Sequence, residues 1–187
     1  MKNLISLLIC ACSVTYAQDA ATKSAQLWLG GNIAWSQVAD QNTIDLGLRI
    51  AWLPVPSCAT GVWGSTLMSN VNNRYGSLPQ TVGYDEFGLF VEPALFTGHR
   101  MQIGFPLLAG LGNIDVAATD LPDNQTTGWF RVLDAGVVLE MPVSTIFHAG
   151  ISAGYRYVFG LDTRGLQSKD LNTIHIGTLL KWGNFGD

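Results

Sequence analysis

Charge is scarce in this 187-residue chain. Asp, Glu, Lys and Arg make up 13% of it, about half the roughly 25% usual in soluble domains. The formal net charge is −4, and no basic cluster offers the electrostatic footprint that nucleic acid requires. Past the N-terminus there is no run of about 18 apolar residues, which argues against a spanning helix. Cysteine is also rare: Cys10 and Cys12 lie in the N-terminal segment and Cys58 stands alone beyond it. One cysteine closes no intramolecular disulfide and makes no zinc site; Cys58 reads as a small apolar residue near a turn. Hydrophobic residues nevertheless make up 48% of the chain. High apolarity with few charges and no hydrophobic helix leaves a membrane β-barrel or an apolar soluble β-protein.

The N-terminus bears on that choice. Met1-Lys2-Asn3 is a short positive start, Leu4 to Cys12 is mostly apolar, and Thr15 and Ala17 place small residues just before a cut. This is the layout of a secretory signal peptide cleaved near Ala17. The expected organisation is therefore a signal over 1–17 and one barrel domain over 18–187. Two variants stand beside it. Ile9-Cys10-Ala11-Cys12 loosely resembles a lipobox ending at Cys12, and the segment could instead be a buried helix.

Barrel strands alternate apolar-out and polar-in over about ten residues. In the second candidate strand, Ile44, Leu46, Leu48, Ile50 and Trp52 share one face, and Thr43, Asp45, Gly47, Arg49 and Ala51 the other. The first (Gln26 to Trp35), seventh (Phe147 to Tyr157) and eighth (Thr173 to Trp182) alternate similarly. The fourth (Tyr84 to Phe96), fifth (Met101 to Gly112) and sixth (Phe130 to Met141) complete the middle. The third, Cys58 to Met68, alternates poorly and is placed by the count. Short links at Pro54 to Ser57, Thr97 to Arg100 and Pro142 to Thr145 alternate with longer polar links. These longer links are Gln37 to Asn42, Ser69 to Thr81, Asn113 to Thr126 and Phe159 to Asp170. Outer-membrane barrels sort their connections this way, with short periplasmic turns and longer extracellular loops. In hydrocarbon every backbone group must be paired, so the sheet must close. The predicted fold is all-β: a closed eight-stranded antiparallel up-and-down transmembrane β-barrel in the outer membrane.

The polar parity gathers Asp45, Arg49, Glu92, Asp134, Glu140, Arg156 and Lys181 inside, four acids against three bases, with His148 beside them. Buried charge is costly unless paired, so these residues are expected to form a structural network filling a narrow lumen. Counting from the Pro142 to Thr145 turn, Glu140 is expected opposite His148, and Asp134 diagonal to Arg156 and bonded to it. A Glu–His pair also suits acid–base chemistry. His148 and Ser152 suggest lipid A deacylases, but four residues along one strand separate them by about 13 Å, and both face inward. Trp28, Trp35, Trp52, Trp63, Trp129 and Trp182 lie near strand ends or along the stripes; those facing lipid would form interfacial girdles. No pattern implies a cofactor or metal. Gly110-Leu111-Gly112 opens no helix, and His99 has no ligand partners nearby.

Phe130-Arg131-Val132-Leu133-Asp134-Ala135-Gly136-Val137-Val138-Leu139-Glu140 looks like a recurring strand of small bacterial outer-membrane barrels. So do the runs from Gly154 to Asp162, Gly88 to Pro93 and Leu179 to Phe185. Together they resemble a small eight-stranded outer-membrane β-barrel family of Bacteroidota-type bacteria, covering the second half of the chain best. The resemblance implies a fold and no activity. Trp182 and Phe185 resemble the terminal signal read by the barrel-assembly machinery, although Gly186 and Asp187 follow. The expected partners are that machinery, outer-membrane lipids and lipopolysaccharide. The leading functional expectation is a non-enzymatic barrel serving envelope integrity or surface contact through extracellular loops. Alternatives are a lipid-modifying enzyme with an outward polar cluster, a small channel with an open lumen, and a soluble lipocalin-like periplasmic binder with apolar side chains inside.

Overall fold

The computed structural model describes residues 26–55, 57–69, 71–75, 78–97, 101–118, 121–163 and 166–185. The expected signal peptide, with its cut near Ala17, and His99 lie outside them. Eight strands form the wall: β1 Gln26–Val38, β2 Gln41–Val55, β3 Cys58–Leu67, β4 Leu78–Thr97, β5, β6 Leu121–Ser144, β7 Phe147–Phe159 and β8 Thr173–Gly183. β5 comes in two pieces, Gln102–Gly104 and Leu107–Ala118, because Pro106 has no N–H for the ladder. Phe105 N donates to Pro93 O at 2.9 Å and Gly136 N to Pro106 O at 3.0 Å, which holds both neighbours across the gap. Each strand pairs antiparallel with the next. β8 returns to β1 from Trp28↔Gly183 to Trp35↔Ile176. The sheet closes into a barrel.

The wall is taller than the sequence pattern suggests, and the longer links are largely strand. The Gln37 to Asn42 link is a two-residue turn at Ala39-Asp40, with Val38 paired to Gln41. Asn113 to Thr126 continues β5 and β6, with Asn113↔Trp129 and Val116↔Thr126 in register. Within Ser69 to Thr81, the short strand Val71–Tyr75 pairs with the start of β4. Within Phe159 to Asp170 lie a two-residue ladder, Asp162–Thr163 with Leu166–Gln167, and a 3₁₀ turn, Ser168–Leu171. Above the lipid the outer face meets water, so the apolar-out signal stops although the backbone still pairs. Short turns at the opposite end (the turn end) and these hairpins (the hairpin end) define the barrel's axis.

Inside and outside fall as the alternation predicts. Leu27, Leu29, Ile33, Ile44, Leu48, Ile50, Leu89, Ile151, Ile174 and Leu180 are all exposed on the outer face. Trp35, Trp129 and Tyr157 lie toward the hairpin end of that face, and Trp52 and Trp182 toward the turn end. Trp28 and Trp63 point inward and are buried. A continuous apolar exterior of this extent fits lipid, not water. At the hairpin end the interior itself turns apolar. Val38, Val71, Val82, Ile114, Leu166 and Leu171 are almost wholly buried, and Ala39 N ties the β1–β2 tip to Asp170 O at 2.8 Å. Burying a Leu or Val side chain contributes about 1.5–3 kcal/mol, so this cap is a core in its own right.

Candidate functional site: the charged lumen

Inward parity brings Asp45, Arg49, Glu92, Asp134, Glu140, Arg156 and Lys181 into the lumen, where all seven are buried, with His148 partly so. They fall into two clusters.

The cluster nearer the hairpin end is centred on Arg156 of β7. Its guanidinium crosses the lumen to the opposite wall. Nη2 lies 3.3 Å from Asp45 Oδ2 on β2 and Nε lies 3.6 Å from Glu86 Oε2 on β4. Nη1 donates to the Tyr84 hydroxyl. Tyr84 in turn donates to Asp45 Oδ1 at 2.7 Å, and Ser36 Oγ donates to Asp45 Oδ2 at 2.8 Å. Ser65 Oγ completes the set by donating to Glu86 Oε2 at 3.2 Å. The Tyr84 ring also faces the guanidinium at 5.3 Å.

Asp134 is in register with Arg156, directly opposite rather than diagonal to it, yet its carboxylate is not among those the guanidinium pairs with. Oδ2 lies 2.9 Å from His175 Nε2 on β8, so in place of the expected bond to Arg156 the Asp134 carboxylate sits against His175. The reason is steric room. His175, Gly154 and Gly136 lie in register across β8, β7 and β6. A Cβ at Gly154 would stand 2.6 Å from His175 Nε2. With glycine there, the imidazole reaches over β7 to Asp134. Arg156 meanwhile is long enough to span a narrow barrel.

The second cluster lies nearer the turn end. Lys181 Nζ bonds Glu92 Oε1 at 2.5 Å and also Glu140 Oε1. Arg49 Nη1 donates to Glu92 Oε2 at 3.4 Å. His148 Nδ1 is 3.7 Å from Glu140 Oε2, and its ring stacks on Phe185 with centroids 3.7 Å apart and planes at 14°. Lys181 Nζ lies 4.3 Å from the centre of the Trp28 ring, and Arg49 lies 5.7 Å from the centre of Phe90. Glu140 is near His148 as expected, but the ladder pairs Glu140 with Gly150 and His148 with Pro142. The register shifts between Pro142 and Ser144, beside a proline without an N–H to donate, and this moves the count from the turn. A cavity of about 30 Å³ is lined by Glu92, Glu140, Lys181, Gln102, Trp28 and Phe185, among others, room for about one water.

Tyr84, Glu86 and His175 belong to the network although the sequence did not single them out. The parity signal was present for Glu86 and His175, which share the inward faces of β4 and β8. The missing information was the cross-lumen distance. Ser152 and His148 are not brought together. Among the described residues no group of three or more His, Cys, Asp or Glu side chains forms a metal site.

The sequence matches no protein-family model and no curated protein. Solved structures are similar in fold. Neisserial surface protein A, NspA, superposes with a TM-score of 0.63 at 9% identity, over 86% of this chain and 99% of that one. A major outer membrane protein from Thermus thermophilus gives 0.64 at 10% identity, over 86% and 100%. The N-terminal β-barrel domain of Pseudomonas aeruginosa OprF gives 0.53 at 12% identity, over 86% and 99%. At these identities the likeness is one of fold, and with the apolar exterior it places the chain among eight-stranded transmembrane β-barrels of the outer-membrane type.

Proposed function

We propose that this chain is a non-enzymatic outer-membrane protein that seals its own lumen and serves envelope integrity or surface contact through its hairpins. The hairpin end then faces outside and the turn end the periplasm, with a signal peptide at the N-terminus directing export. The observation that carries the reading is the filling of the interior. Paired charges occupy both lumen clusters, an apolar core caps the hairpin end, and Phe185 packs on His148 at the other. Eight strands leave a lumen just wide enough for side chains to fill, which favours a plug over a pore. The barrel-assembly machinery and outer-leaflet lipids remain the proposed partners. The narrower placement in a family of Bacteroidota-type bacteria rests on the motifs at 130–140 and 154–162.

Two measurements on the purified protein test this. It should fold in detergent with heat-modifiable mobility; a protein that is soluble and monomeric without detergent would overturn the membrane reading. Reconstituted in a planar bilayer, it should pass no steady ion current. Steady conductance, or release of fatty acid from lipid A, would overturn the sealed, non-enzymatic reading.

A further inference from the structure

Arg131 is out of keeping with the lumen cations. It lies on β6 with outward parity and is exposed. On the same face its strand neighbours are Trp129, 60% exposed, and Leu133. Its register partners are Leu111 on β5 and Phe159 on β7. Tyr157 stacks on Phe159 with ring centroids 5.9 Å apart. No ion pair among the described residues includes Arg131. The other strand cations with described side chains, Arg49, Arg156 and Lys181, are buried inside. Among strand cations with described side chains, Arg131 is therefore the one on the outer face.

Its height is informative. Toward the turn end the outward face of β6 continues Leu133, Ala135, Val137, Leu139 and Met141. Toward the hairpin end Trp129 follows and the face then turns polar, with Thr127 Oγ1 donating to Asp115 Oδ1 at 3.0 Å. The face ends on Val143, 64% exposed; strands rise about 3.3 Å per residue and tilt about 40°, so the climb from Val143 to Arg131 spans roughly 30 Å, no less than the roughly 25 Å height of the apolar band. Arg131 stands at the outer boundary of that band, where an outward charge is tolerated, and not at the midplane, where it is strongly disfavoured. Tryptophan and tyrosine settle at the same headgroup level. A guanidinium fork matches phosphate oxygens bidentately. A phosphate monoester presents three free acceptor oxygens where a diester presents two, so at the headgroup boundary the fork can hold two of them while the third and its charge stay in water.

We propose that Arg131, flanked by Trp129 and Tyr157, binds the phosphate monoester of an outer-leaflet glycolipid of the lipid A type. The inference rests on the membrane reading above. The test is native mass spectrometry of the detergent-folded full-length barrel, after confirmation of heat-modifiable mobility, with lipid A, dephosphorylated lipid A or phosphatidylglycerol added. Wild type should retain one lipid A and release the other two lipids. Arg131→Gln should lower retention of lipid A by about tenfold or more, the loss expected for a charge-assisted bond. Arg131→Lys should keep part of it. Equal retention by Arg131→Gln overturns the proposal. Equal retention of dephosphorylated lipid A or phosphatidylglycerol by wild type overturns it as well, and that arm needs no variant to fold. A chain that stays soluble without detergent overturns this inference together with the membrane reading, whereas a folded barrel indifferent to the phosphate overturns this one alone.

Discussion

The two lumen clusters solve the same problem with different stoichiometry. Near the hairpin end, Asp45 and Glu86 share one guanidinium, Arg156, while Asp134 sits against His175. Near the turn end, Glu92 and Glu140 meet two cations, Arg49 and Lys181, and His148. The first relies on a single long side chain and recruits neutral donors, Tyr84, Ser36 and Ser65, to satisfy its carboxylates. The second is balanced and redundant, since Glu92 touches both cations. A buried charge stripped of its partner costs far more than the pair itself contributes, so the two clusters should differ in how they fail.

The largest expected effect follows directly. Arg156→Met leaves Asp45 and Glu86 on the far wall without their cation, and urea unfolding in detergent should show a loss of about 3–5 kcal/mol. Arg49→Met leaves Glu92 on Lys181 and should cost about 1–3 kcal/mol. Equal losses would erase the distinction between the clusters.

The Asp134–His175 pair comes next. Asp134→Ala should cost about 1–3 kcal/mol, and Asp162→Ala, at an exposed position, less than about 0.5 kcal/mol. Replacing Asp134 and His175 together by apolar residues should recover part of the loss. If recovery came instead from pairing the Asp134 change with one at Arg156, the cross-strand partner would be the register neighbour after all.

Gly154→Ala probes the same pair by sterics. It pushes the His175 ring off β7 and should lower stability by roughly 1–2 kcal/mol, while leaving the turn-end cluster unaffected. Unchanged stability would mean that His175 need not cross β7.

The smallest effect is at the hairpin tip. Ala39 and Asp40 both have positive φ, 47° and 63°, a conformation that two-residue hairpin turns reserve for Asn-Gly. The double change Ala39→Asn with Asp40→Gly should raise stability by up to about 1 kcal/mol. A fall in the thermal midpoint would show that Ala39 or Asp40 contributes something beyond the turn.

Much of this molecule was legible in the residues themselves. Alternation with period two assigned the inside and outside of strands such as β2 and β7, because a one-residue slip would turn every apolar side chain inward. The same parity gathered the charged lumen residues on one face of the sheet. The heights of the strands were not legible, since outside lipid the outer face can be polar while the ladder continues, as at Asn113–Thr126. Partner choice within the lumen was decided only by tertiary structure. Sequence register speaks for neighbouring strands, whereas closing the barrel sets Arg156 against Asp45 and Glu86 on the far wall, and the missing side chain of Gly154 delivers His175 to Asp134.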